Sequence, residues 1–145
     1  MSAKEIKKQK SLSKAEYESL SDFRYAIRRF LKFSKDAAES VGLTARQHQA
    51  LLAIKGFKGR ERITNGELAE RLHIKHHSAV GLINRMEAQN LIVREQSDTD
   101  KREIYISLTD HGAKLLEMLA AAHREELQLI VPQLNSVLES LKESK

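Results

Sequence analysis

The sequence predicts a mainly helical α+β chain with one small β-ribbon, and three observations carry that expectation. Ser13/Glu16, Thr44/Gln47 and Thr64/Glu67 each set a hydroxyl ahead of a longer carboxyl or amide side chain, at capping-box spacing. In that spacing the two side chains satisfy each other's backbone amides and fix a helix start. In the segments that follow, apolar residues recur at the helical step. From Glu103 the pattern changes to alternation, with Ile104, Ile106 and Leu108 facing one way and Tyr105 and Ser107 the other, as in a half-buried strand.

The 145 residues suit one domain, 1–145, and a hydrophobic content of 41% is enough to pack a core. There is no cysteine, which excludes disulfides, thiolate zinc sites and a cysteine-based peroxide switch, and fits a reducing cytoplasm. No apolar run approaches the roughly 20 residues that span a membrane. The segment MSAKEIKKQK lacks the apolar core of a signal peptide. A cytoplasmic protein, not a membrane-bound one, is expected. Net charge is +5, which permits a polyanionic partner. Most of the excess lies in residues 1–60, and the middle of the chain is nearly balanced.

Residues 1–12 are lysine-rich and aperiodic and are expected to form a flexible basic arm, either solvated or against a nucleic-acid backbone. Ser13 and Glu16 then open a long helix to about Ser40, with Leu20, Phe23, Ile27, Phe30, Ala37 and Val41 as its stripe. At about 1.5 Å per residue it is about 40 Å long, too long for one small domain to cover. Part of the stripe should pack on another chain. Gly42 ends this helix, and Thr44 and Gln47 open the next, to about Lys55, with Leu51, Leu52 and Ile54. GFKGR reads as a loop.

Thr64 and Glu67 open a short helix with Leu68, Ala69 and Leu72 on one side, and His73-Ile74-Lys75 turns the chain. In the following helix, about 76–89, Ala79, Val80, Ile83 and Met86 form an apolar back. The front carries His77, Gly81, Asn84, Arg85 and Ala88, with His76 and Ser78 near the first turn. An apolar back and a front of small and donor residues fit a surface rich in acceptors. The DNA major groove is such a surface: it admits a helix, and Arg and Asn pair bidentately with guanine and adenine edges. Gly81 and Ala88 let the helix axis come close. Asn90 suits a left-handed helix end, and Leu91-Ile92-Val93 is a β-rich run. The loop SDTDKR ends in two cations, Lys101 and Arg102, placed to meet phosphate; a solvated hairpin tip is the plainer reading.

Thr109 caps a helix with the stripe Leu116, Leu119, Ala120, His123, Leu127 and Ile130. Pro132 is expected in the first turn of a separate final helix carrying Leu134, Val137, Leu138 and Leu141. The flanking helices, within 13–41 and 109–145, make sense as a dimerisation bundle around a DNA-reading unit, 44–108. A self-contained monomer core is the alternative. A two-fold dimer would present two recognition helices to half-sites about one DNA turn apart, which predicts a pseudo-palindromic operator.

ITNGELAERL, SAVGLINRMEAQNLIVRE, the D-K-R of residues 100–102 and SLTDHG closely resemble the winged helix-turn-helix of the MarR family of bacterial transcription regulators. The family commonly has Thr or Ser at Gly81, Gly at Asn90 and an acidic residue at Ser97. The resemblance covers the whole chain. It implies a winged helix-turn-helix flanked by dimerisation helices, a sequence-specific homodimer on double-stranded DNA, and a ligand-responsive repressor in a bacterial or archaeal cytoplasm. It also implies a short strand at Ile63 beside the wing. Thr64 and Asn65 would lie near a phosphate, and Asp100 would steer Arg102. Family members commonly bind small aromatic or phenolic anions between the dimer helices and the winged domain. Tyr25, Arg28, Arg29, His48 and Leu52 are the candidate lining here, with Arg28 or His48 pairing with a carboxylate.

Competing chemistries have less in the sequence. His73, His76 and His77 form a cluster that would serve a metal-responsive regulator, but no nearby acidic residue or cysteine completes a ligand set. No metal or cofactor is expected. There is no G-x-S-x-G, Gly-rich phosphate loop, H-E-x-x-H or cysteine nucleophile, so no enzyme is expected. A non-specific architectural DNA binder and a winged helix used for protein contact remain as alternatives.

Overall fold

The computed structural model describes residues 11–143. The expected arm therefore lies outside the described residues, except for Ser11 and Leu12, both exposed. In order come α1 (Lys14–Ser40), α2 (Ala45–Lys55), β1 (Ile63–Thr64), α3 (Asn65–Leu72), α4 (His76–Ala88), β2 (Ile92–Gln96), β3 (Ile104–Leu108) and α5 (Asp110–Glu143). This is the expected winged helix-turn-helix, preceded along the chain by one long helix and followed by another.

The starts of α1, α2 and α3 are made as their sequences dictate. Glu16 N donates to Ser13 Oγ and Ser13 N to Glu16 Oε1. Thr44/Gln47 and Thr64/Glu67 form the same reciprocal pair. Thr109 Oγ1 accepts from Gly112 N at 2.9 Å and donates to Asn90 O at 2.7 Å, tying the start of α5 to the chain that leaves α4. A Cβ on Gly112 would overlap the Leu91 carbonyl, so this contact needs glycine. The ends also follow the sequence. His73 (φ 52°) and Asn90 (φ 59°) close α3 and follow α4 in the left-handed region.

Two compact units are present: residues 33–125, and the segment through Lys32 with the segment from Glu126. In the central unit the strands pair antiparallel in the order β1-β3-β2. Ile63 pairs with Ile106, and the wing runs from Ile92↔Leu108 to Gln96↔Ile104. The core holds Leu51, Ile54, Ile63, Leu68, Leu82, Ile83, Met86, Leu91, Ile92 and Ile106, all fully buried. In the other unit Ala26, Ile130 and Val137 are buried, and Ser19 and Ser140 share a 2.7 Å hydrogen bond. Tyr17, Leu20, Tyr25, Ile27, Leu31, Leu127, Leu129, Val131 and Leu138 stay exposed there.

Two expectations are corrected. Pro132 does not begin a separate helix: it lies inside α5, which runs unbroken to Glu143, so two helices flank the reading unit rather than three. Proline removes one backbone hydrogen bond, but Ile130 before it and Val137 after it are both buried, and that packing holds the helix across the defect. Val80 is not part of the buried back of α4, since it is 36% exposed while Leu82 is 2% exposed. At about 100° per residue, Leu82 falls beside Ala79 and Met86, and Val80 falls toward His77 and Asn84.

Candidate nucleic-acid interface

The site is assembled from α3, α4 and the wing. Ala79, Leu82, Ile83 and Met86 seat α4 in the core. That leaves His76, His77, Asn84 and Arg85 exposed, with Ser78 and Gly81 half-buried beside them. A Cβ on Gly81 would stand 3.4 Å from Arg85 Nη1, so the guanidinium lies back over the glycine. Lys75 precedes α4 without a side-chain cap, unlike the residues that open α1, α2 and α3.

The wing loop is held from within. Ser97 is buried, and its Oγ accepts from Thr99 N and Asp100 N, each at 3.3 Å. Gln96 Nε2 donates to Lys101 O (2.8 Å) and Glu103 O (3.2 Å). Asp100 Oδ1 accepts from Arg102 N at 2.9 Å and lies 3.4 Å from Arg102 Nε. The Arg102 side chain is nevertheless 92% exposed. Lys101 is exposed as well.

Thr64 and Asn65 are buried, and their side chains are engaged. Thr64 belongs to the α3 cap, and Asn65 Oδ1 accepts from Ile104 N at 3.4 Å, fastening α3 to β3. Burial alone would raise the Glu67 carboxyl, but hydrogen bonds from Arg60 and Thr64 hold it below its ordinary value. Thr64, Asn65, Gly66, His76, Asp100, Arg102 and Glu103 line one open cleft of about 460 Å³. The fold thus brings the N-terminal ends of α3 and α4 and the wing's arginine to one place. The helix N-termini and the guanidinium favour an anion there, against the Asp100 and Glu103 carboxylates in the same lining.

Sequence reasoning missed Arg94. It donates to Asn84 Oδ1 and lies 3.1 Å, at Nε, from Glu87 Oε1. A signal was present: Arg94 stands two residues after Ile92, on the same face of the strand as that buried residue, although Arg94 itself stays exposed. Arg62 was missed too. It lies 2.9 Å from Glu95 Oε2 and over the Tyr105 ring at 4.1 Å.

Of the residues expected to line a ligand pocket, Tyr25, Arg28 and Arg29 belong to the terminal unit and His48 and Leu52 to the central one. Tyr25 lines a cleft of about 530 Å³ with Asp22, Ala26, Pro132, Gln133, Ser136 and Val137. Arg28 and Arg29 are exposed, and Arg29 lies 5.8 Å over the Tyr25 ring. In the central unit Leu52 lines a cleft of about 400 Å³ with Gln49, Ala53, Gly56, Arg71 and Leu72. His48 instead is buried, 4.8 Å from His123, and its Nδ1 has no partner. Burial, and then the His123 charge, lower its pKa. His123 is held between Leu119 O at 2.6 Å and Ser34 Oγ at 2.9 Å. His73, His76 and His77 are exposed, and no metal-ligand cluster occurs among the described residues. No described helix is long and apolar enough to cross a membrane.

A sequence model of the MarR family matches residues 41–103. The organic hydroperoxide resistance transcriptional regulator of Bacillus subtilis (strain 168) is 30% identical over 124 residues, covering 79% of this chain and 82% of that protein. The HTH-type transcriptional repressor MdtR of the same strain is 34% identical over 86 residues, 59% of this chain and 54% of MdtR. Among solved structures, the S. aureus MepR–DNA complex matches with a TM-score of 0.63 at 26% identity, covering 77% of this chain and 83% of that one.

Proposed function

This chain belongs to the MarR family of DNA-binding transcriptional regulators, which are not enzymes, and we propose that it is a homodimeric, ligand-responsive repressor. It docks α4 in the major groove of each half of a pseudo-palindromic operator, in a bacterial or archaeal cytoplasm. His76, His77, Ser78, Gly81, Asn84 and Arg85 meet base edges. The cleft between the starts of α3 and α4 takes a phosphate, with Thr64 and Asn65 aligning the amides and Asp100 aiming Arg102. Lys101 contacts the adjoining backbone.

One observation carries this reading: the donors on the exposed face of α4 adjoin an anion-suited cleft, completed by an arginine that the wing leaves in solvent. The dimer draws support from the apolar side chains left exposed on the first part of α1 and the last part of α5. A patch of that kind marks an interface. MdtR is a repressor by name, which supports the same sign here. The Bacillus relative is named for organic hydroperoxides, but these 145 residues hold no cysteine, so a thiol cannot be the sensor. A small aromatic or phenolic anion is the effector, and the clefts beside Tyr25 and Leu52 are where it is to be sought. To release DNA it must bind the non-DNA geometry more tightly.

Selection of bound sequences from random duplex DNA, with and without aromatic acids, tests this. The expected result is an inverted repeat whose half-sites lie about one DNA turn apart, bound less tightly when the acid is present. A site without a dyad, or random DNA bound as tightly at moderate salt, would replace it with a non-specific binder.

A further inference from the structure

Asn84 is on the exposed side of α4, and one side of its amide is already engaged. Its Oδ1 accepts from Arg94 Nη2, while Arg94 Nε lies 3.1 Å from Glu87 Oε1. Arg94 belongs to β2 and reaches α4 from the sheet. Asn84 and Glu87 lie about one helical turn apart, on neighbouring positions of the same helix surface. The guanidinium is therefore fixed between a carboxylate and an amide oxygen.

We infer that this clamp sets the Asn84 amide with its NH2 outward, so that residue 84 reads guanine and not adenine. The inference rests on the major-groove placement of α4 proposed above. An unclamped Asn pairs with adenine through both ends of its amide, the oxygen accepting from N6 and the nitrogen donating to N7. With the oxygen turned to Arg94, what faces outward is a donor beside a cation. Guanine offers two acceptors on its major-groove edge, N7 and O6, whereas adenine offers one acceptor and one donor. Against adenine, the N6 amino group would meet the Asn84 NH2 and the guanidinium and be left without an acceptor. The expected preference for guanine at this base pair is about ten- to a hundredfold. Arg94 is thus a positioning residue: it sets base choice by orienting Asn84.

Sites selected from random duplex DNA with wild-type protein, Asn84→Ala and Arg94→Met provide the test. Asn84→Ala should erase the preference at one base pair in each half-site. At that pair the wild type should favour guanine, and Arg94→Met should move the preference toward adenine. If the wild type selects no base at any position, the major-groove placement itself fails; if it is selective but Asn84→Ala erases no preference, Asn84 reads no base and the inference is overturned while the placement stands. If Asn84→Ala erases one, but the wild type favours adenine there or Arg94→Met keeps guanine, the clamp is overturned while the placement stands. Glu87→Gln, which loosens the guanidinium but keeps its charge, should weaken the guanine preference without reversing it. Should Arg94→Met not fold, the wild-type base identity together with Glu87→Gln decides the matter.

Discussion

In the central unit α2 and α3 open with reciprocal caps, and Leu51, Ile54, Leu68, Ile83 and Met86 are closed off from water. In the terminal unit Ala26, Ile130 and Val137 are buried, but Leu129 is 74% exposed and Tyr17, Leu31 and Leu138 are at least half exposed. The same kinds of side chain thus meet two fates. The central unit closes a continuous apolar core within one chain, although Leu52, Val93 and Met118 stay exposed and His48 Nδ1 is buried unpaired, whereas the terminal helices bury few of their large apolar side chains and leave the rest in water. The difference separates what folds the reading head from what a second copy would have to supply.

The sharpest way to break that comparison is to open the closed core. Ile83→Ala removes a fully buried side chain from the back of α4 and should cost about 3–4 kcal/mol of stability, read from denaturant unfolding. A cost below about 1 kcal/mol would mean that α4 is not seated as described. Charging the open surface should do the opposite. Leu129→Glu with Leu138→Glu should leave the core intact but yield monomers by sedimentation, and weaken operator binding about a hundredfold or more as the second head is lost. A dimer that persists would place the interface elsewhere.

A smaller effect isolates the wing. Arg102→Ala removes the exposed guanidinium held at 3.4 Å by Asp100. Operator affinity should fall about tenfold on every sequence, and the slope of log affinity against log salt should lessen by about one. An unchanged slope would remove Arg102 from the phosphate backbone.

How much of this was legible depends on how far apart the partners lie along the chain. The caps at Ser13, Thr44 and Thr64 were readable because both members of each pair lie in one helical turn. The wing was readable from alternation, and the reading head from its fit to a known pattern. Pro132 was misplaced because a local rule met packing that only the fold reveals. Val80 was counted in the apolar back and Leu82 left out of it because each lies near an edge of the apolar arc, where the wheel alone decides poorly. The Arg94–Asn84–Glu87 clamp joins a strand to a helix, and the His48–His123 pair joins α2 to α5. Neither juxtaposition has a local period to betray it, although the two-residue step from Ile92 to Arg94, which puts both on one face of β2, was a usable hint.

The smallest predicted effect comes from the polar group left without a partner inside the closed unit. His48 Nδ1 is buried and unpaired, and burial followed by the His123 charge lowers the pKa of the ring below its ordinary value of 6.5. The folded protein therefore holds His48 neutral at a pH where the unfolded chain has begun to bind a proton. Stability should be flat above about pH 7 and fall as pH drops through 6.5 toward the lowered folded value, with a slope of at most about 1.4 kcal/mol per pH unit from this one group. Glu67 has the same sign at lower pH: its carboxyl lies below its ordinary 4.5, so its contribution is lost only as pH falls further, which keeps the two windows apart. His48→Phe keeps a ring in the site and removes the titration, so thermal unfolding between pH 7 and 5.5 should lose part of its pH dependence. If the variant and the wild type show the same slope, the proton is taken up elsewhere, and the burial of His48 is not what makes the closed unit sensitive to acid.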